Sequence, residues 1–178
     1  MRKSFTHWQL AGFFFTGSSG AVLHFLYGWS GKNGLVAAFS AVNESTWEHM
    51  KLLFFPMLLF SSVEYLFLGE RIPNFWFTKG LGTLAGLALI PALFYTWNGV
   101  FGPSSHWVNI GIFFVAAAAV YALECRLFAS GKGSGRFLQG VSLFLLLALA
   151  LVFILWTYAP PDLPLFRDPV TGGYGIKK

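Results

Sequence analysis

Five runs of mostly apolar residues, at about 8–29, 47–68, 80–97, 107–128 and 137–158, limit what this chain can fold into more than any other feature. An α-helix needs roughly 20 such residues to cross the hydrocarbon core of a bilayer, and each run is close to that length. The stretches between them carry turn chemistry: Ser30-Gly31-Lys32-Asn33-Gly34, Ile72-Pro73-Asn74, Gly102-Pro103-Ser104-Ser105 and Ser130-Gly131-Lys132-Gly133-Ser134-Gly135. The spacing leaves no room for a folded soluble domain. The expected architecture is all-α, an integral membrane bundle of five transmembrane helices forming one domain, with a Pro- and Gly-rich external tail over 159–178.

Charge supports this reading. Only 11% of the 178 residues are Asp, Glu, Lys or Arg, against roughly 25% in a soluble domain. The net charge of +5 comes from scattered side chains rather than a basic patch, so nucleic acid is not an expected partner. A single cysteine, Cys125, excludes a disulfide within the chain. The first run follows Met1-Arg2-Lys3, as a signal peptide would. It has full spanning length and no small-x-small cleavage pattern close behind it, so it reads as a retained helix.

Five crossings sort the basic residues between two sides. Arg2, Lys3, Arg71, Lys79, Arg126, Lys132 and Arg136 share the side of the N-terminus; Lys32, Lys51, Arg167, Lys177 and Lys178 lie opposite. Basic excess marks the cytoplasmic side, which puts the N-terminus inside and the C-terminus outside. Residues 35–42 (LVAAFSAV) are too few to cross and form either a re-entrant segment buried in protein or a short helix lying on the membrane surface.

With this topology, polar residues from several stretches meet at the outer face: His24, Asn43 to Lys51, Asn98, His106 and Asn109. If 42–51 is helical, Glu44, Glu48 and Lys51 lie on one face, with His49 about 100° round from Glu48. Two carboxylates beside an imidazole have the chemistry of a divalent metal site or a proton relay. A structural alternative covers part of the set. Ser45-x-x-Glu48 fits a capping box, Trp47 an interfacial belt residue, and Lys51 a partner for Glu48 or a snorkelling cation. Glu44 and His49 fall outside that account. His24 shares a helix face with Gly17, Gly20, Ala21 and Gly28, and small-residue faces pack against other helices, so it points into the bundle.

Glu64 and Glu124 lie toward the inner ends of their spans, where pairing with Arg71 and Arg126 is expected. A route from the outer cluster to Glu64 would serve a proton-coupled transporter, but residues 52–63 offer no relay of their own. Gly82-x-x-x-Gly86 and Ala116 to Ala119 read as close helix contacts, and the fifth span as broadly lipid-exposed. The tail is too rich in proline for helix and is either a free terminus or a lid over the outer pocket, held by Leu165, Phe166 and Tyr174.

The string Asn43-Glu44-Ser45-x-Trp47-Glu48-His49-x-Lys51, with Leu23-His24-Phe25-Leu26-Tyr27-Gly28 before it and Asp168-Pro169-x-Thr171-Gly172-x-Tyr174-Gly175 in the tail, resembles a bacterial multi-pass membrane family of unknown function over most of the chain. The resemblance implies the architecture and a bacterial inner-membrane location, and no activity. Gly17-Ser18-Ser19 followed by His24 is also similar to the first motif of the alkaline ceramidase and adiponectin-receptor-like membrane hydrolases, which bind zinc. The chain departs from them in having five spans, no His-x-x-x-His pair, and Gly20 in place of a serine.

The expected function is therefore an outward-facing polar pocket with His24, Glu44 and His49 as ligands of a divalent metal and Glu48 as general base. Asn43, Lys51, Asn98 and His106 would line it, and a lipid-like or small-molecule substrate would be hydrolysed or transferred there. The alternatives are a proton- or cation-coupled small transporter and a non-catalytic membrane partner subunit.

Overall fold

The computed structural model describes residues 2–176, with side chains from Thr6 onward. Lys177, Lys178 and the side chains of Arg2 and Lys3, used above for orientation, lie outside the described residues. The helices are α1 (Arg2–Trp29), α2 (Gly34–Ala37), α3 (Thr46–Leu68), α4 (Phe75–Phe101), α5 (His106–Ser130) and α6 (Arg136–Tyr158), with 3-10 turns at Gly69–Arg71 and Pro164–Phe166. All but α2 are long and apolar enough to cross a membrane, and the chain is a multi-pass membrane protein. The third span is longer than its apolar run, starting at Phe75 and ending at Phe101.

Side-chain caps set several helix starts. The Ser45 hydroxyl accepts from the Glu48 amide at 3.3 Å and the Ser105 hydroxyl from the Val108 amide at 3.4 Å, each satisfying a first-turn N–H that has no partner in its own helix. The spanning helices α1, α3, α4 and α5 close a ring, α1 on α3, α3 on α4, α4 on α5 and α5 on α1. Helix α6 lies against α4 and touches α3. Only 17% of its apolar window is buried, at a mean hydropathy of 2.7, so most of its surface faces lipid.

Two glycines show how closely the ring is drawn. Pro56 has no N–H for the Leu52 carbonyl one turn before it. Helix α1 approaches that oxygen so closely that a Cβ on Gly20 would lie 2.9 Å from it. On α4, a Cβ at Gly86 would meet Val120 at 2.6 Å and Leu53 at 2.8 Å, as the Gly82-x-x-x-Gly86 spacing requires. Ala116 and Ala117 are fully buried in the facing helix.

Residues 35–42 are half-buried, with Leu35 and Phe39 exposed. Ala37, Ala38, Ser40 and Ala41 are buried, and the Lys51 ammonium donates to the Ala37 carbonyl at 3.0 Å. A segment with one buried face and one exposed apolar face fits both expectations, the re-entrant and the surface-lying one. Two others need correction. Trp47 is no belt residue: it is 6% exposed and packs on Phe153, with ring centroids 4.3 Å apart. The tail contains a helical turn and is docked rather than free. Phe166 is buried against Trp47 and Trp156, the Ile176 amide donates to the Thr157 carbonyl at 3.2 Å, and the Asn43 amide donates to the Gly175 carbonyl at 3.1 Å.

Gly86→Ala forces Val120 or Leu53 to move and should cost about 1–3 kcal/mol, read as a lower thermal midpoint in detergent. Gly111→Ala, in open space on α5, should leave that midpoint unchanged or slightly raised.

Candidate functional site

The N-cap at Ser45 decides how the polar string is arranged. Because α3 starts at Thr46, Glu44 precedes the helix and does not stack above Glu48 and Lys51, which corrects the helical-face reading. Glu48 is buried with its Oε2 2.7 Å from the Lys51 ammonium, and the same oxygen accepts from the Val42 amide at 3.0 Å. The capping box is thus half formed. Ser45 caps Glu48, but the Ser45 amide is taken by Asn43 Oδ1 at 2.9 Å instead of by Glu48. Lys51 does not snorkel: it is fully buried and donates to the Ala37 carbonyl and, at 2.7 Å, to Thr157 Oγ1. Asn43, Glu48 and Lys51 therefore hold the loop, α3 and the tail together.

Freed from the helix, Glu44 turns between two imidazoles. Its Oε1 lies 3.7 Å from His24 Nε2 and its Oε2 lies 3.5 Å from His49 Nε2. The two rings are 5.5 Å apart, and one ligand atom from each of the three residues falls within 4.8 Å of the others. His24 Nε2 comes from the small-residue face of α1, as its spacing predicts. His49 Nδ1 is 2.9 Å from the Ser45 carbonyl, which can only accept, so Nδ1 carries the proton. In the neutral ring this leaves the lone pair on Nε2, facing Glu44. All three side chains are partly exposed, at 21%, 32% and 23% for His24, Glu44 and His49, so the cluster stands at the wall of an opening.

Two cavities meet there. One, of about 250 Å³, is walled by Glu44, His49, Asn98, His106, Asn109 and Val170. The other, of about 390 Å³, is a groove between α1 and α5 walled by His24, Phe25, His106, Trp107, Phe113 and Phe114. Phe25 and Trp107 on its wall are exposed at the protein surface. His49, His106 and Asn109 border both cavities. Asn109 Oδ1 and His24 Nδ1 are buried atoms with no hydrogen-bond partner among the described residues. Asn98 Oδ1 accepts from the Ser104 amide at 2.7 Å, so it shapes the α4–α5 turn as well as lining the cavity. Pro169 and Val170 of the docked tail form part of the wall of the first cavity.

At the opposite end of the bundle lies a cluster that the sequence reading missed. Glu64 and Glu124 do not pair with Arg71 and Arg126, both of which are exposed. Both carboxylates, fully buried, lie 2.6 Å from the ammonium of Lys79, itself 1% exposed. Lys79 had been placed outside the third span; with α4 starting at Phe75 it stands one turn inside. Gln9 Nε2 donates to Glu64 Oε1 at 2.9 Å, bringing in α1.

Residues 1–176 match the model of a family described as a family of unknown function (DUF6512). No curated protein and no solved structure matches the chain.

Phe166 anchors the tail, and Phe166→Ala should remove about 3 kcal/mol or more of docking energy. Trypsin should then cut at the exposed Arg167 under conditions in which the unaltered tail resists cleavage, as read by mass spectrometry of the released fragment.

Proposed function

We propose that this chain, which belongs to the DUF6512 family of unknown function, is a membrane-embedded metal-binding protein. In this reading His24, Glu44 and His49 hold a divalent ion of the zinc class and serve a hydrolase or transferase reaction on a lipid-like substrate. The observation that carries it is the spacing around Glu44. Charge-assisted hydrogen bonds close to about 2.7–2.9 Å, whereas the carboxylate stands 3.5 Å and 3.7 Å from the two ring nitrogens. Tetrahedral ligands roughly 2.1 Å from a zinc ion stand about 3.4 Å apart, which is near the observed separation. Two imidazoles and one carboxylate are a catalytic zinc set that leaves a position open, and the Ser45 carbonyl on His49 Nδ1 is the outer partner such a ligand needs.

A metal in such a site supplies Lewis acidity and makes water a nucleophile at neutral pH. The chain's own groups supply the rest. His106, bordering both cavities, stands where it can accept or return a proton. Asn109 offers an unpaired amide oxygen to a donor on the substrate. The groove between α1 and α5 receives the apolar part of a lipid-like molecule directly from the bilayer. Glu48, expected as the base, is given a positioning role, because its carboxylate is committed to Lys51 and Val42.

We place the site on the outer face of a bacterial inner membrane, with the N-terminus inside. Lys51 and Lys79 are buried in ion pairs and cannot contribute to orientation. The exposed Arg71, Arg126, Lys132 and Arg136 at the inner end then outweigh Lys32 and Arg167 at the outer. A coupled transporter is the weaker reading, since Phe54, Met57 and Phe60 fill α3 between the two polar ends.

Elemental analysis of the full-length protein, purified in detergent, loaded with zinc and dialysed, tests this reading. About one ion per chain is expected, with Glu44→Ala and His49→Ala retaining little and Glu48→Gln retaining it. A wild-type preparation that keeps no metal would leave a non-catalytic partner subunit as the better reading.

A further inference from the structure

The inner cluster has a charge count that does not close. The ammonium of Lys79 sits between two carboxylates and 5.4–5.7 Å from the ring centroids of Phe75, Tyr121 and Phe128, surroundings that favour the cation. One positive charge faces two acids with all three groups buried, so with both acids ionised the cluster carries a net negative charge inside the membrane. Hydrocarbon tolerates such a charge poorly, and two carboxylates around one site do not ionise alike. Among the described residues no second base closes the count. Facing the cluster are Gln9 and Thr16 of α1, Tyr121 and Cys125 of α5, and the cluster's own members; Tyr121 Oη is 2.7 Å from Thr16 Oγ1.

The two acids differ in their partners. Glu64 accepts from Gln9 Nε2 on Oε1, and its Oε2 lies 2.6 Å from the ammonium as an ion pair without a directed hydrogen bond. Glu124 takes the ammonium on Oε2, while its Oε1 is buried with no hydrogen-bond partner among the described residues. That bare oxygen lies over α4 at Gly82, where a Cβ would be 2.9 Å away. With the Gln9 amide as well as the ammonium beside it, the Glu64 carboxylate has one more stabilising neighbour than that of Glu124, whose close donor among the described residues is the ammonium.

We propose that the Glu64–Lys79–Glu124 cluster is a proton-binding site, separate from the outer metal centre, that holds one proton on Glu124 while Glu64 and Lys79 remain an ion pair. The added proton makes the site neutral and turns Glu124 into a donor. The cluster lies about 22 Å along α3 from His49, measured as 15 residues of helix to Glu64, and its four contributors come from α1, α3, α4 and α5. All four lie within a few turns of the inner ends of their helices. The proton therefore exchanges with the inner aqueous phase, and its binding bears on every contact of the four-helix ring.

Infrared spectroscopy of the full chain in lipid nanodiscs tests this directly. At neutral pH, well above the ordinary glutamate range near about 4.3, the spectrum should contain the carbonyl band of a protonated glutamic acid. The band should shift with carboxyl-13C glutamate, disappear in Glu124→Gln and persist in Glu48→Gln. Lys79→Met removes the cation, so both acids should take protons and the band should about double. Absence of the band in the unaltered protein, which needs no variant to fold, overturns the proposal. So does a band that survives Glu124→Gln.

Discussion

A bilayer offers no hydrogen-bond partner to a polar group at depth, so every amide, ammonium and carboxylate that this chain carries below the surface has to find its partner within the chain. That constraint organises both ends of the bundle. Lys51 ties α3 to the short 35–42 segment and to α6 through Ala37 and Thr157. Lys79 ties α4 to α3 and α5 through two carboxylates. Asn74 donates to the Leu127 and Lys132 carbonyls at 2.8 Å and 3.1 Å, fixing the α3–α4 turn to the end of α5. Between these ends the ring is held by apolar packing, with glycine and alanine on the closest faces.

The two ends differ in how far their charged groups are exposed. The inner cluster is sealed, with contacts of 2.6 Å and no exposure of either acid. The outer one is open. His24, Glu44 and His49 converge without closing hydrogen bonds, beside two cavities and under a docked tail. In the proposed reading these incompletely paired groups receive a ligand, and the adjoining apolar groove is its route from lipid. The closed end is thus read as a site for a proton alone, and the open end as a site for a metal and a substrate.

Much of this was legible in the sequence, because span length and hydropathy follow directly from bilayer thickness. The inward direction of His24 was readable from the small residues on its face, and the short segment at 35–42 from its length. Failures came where tertiary contacts overrode local periodicity. Glu44 escapes helical spacing because the Ser45 cap starts the helix after it. The Glu48 carboxylate reaches Val42, six residues back, where the capping pattern pointed it to Ser45. Lys79 looked like a boundary charge because the aromatic start of α4 was left out of the span, and with it went the pairing of Glu64 and Glu124. The docking of the tail rests on Phe166 meeting Trp47 across more than a hundred residues, a contact no local pattern announces.

The proposed metal centre depends on Glu44 serving as a ligand between two imidazoles. X-ray absorption spectroscopy of the zinc-loaded protein in nanodiscs reads the donors around the ion. Two imidazole nitrogens and one carboxylate oxygen at about 2.0–2.2 Å are expected, with a further light-atom donor in the open position. A shell of oxygen atoms alone, or one containing the Cys125 sulfur at about 2.3 Å, would contradict it.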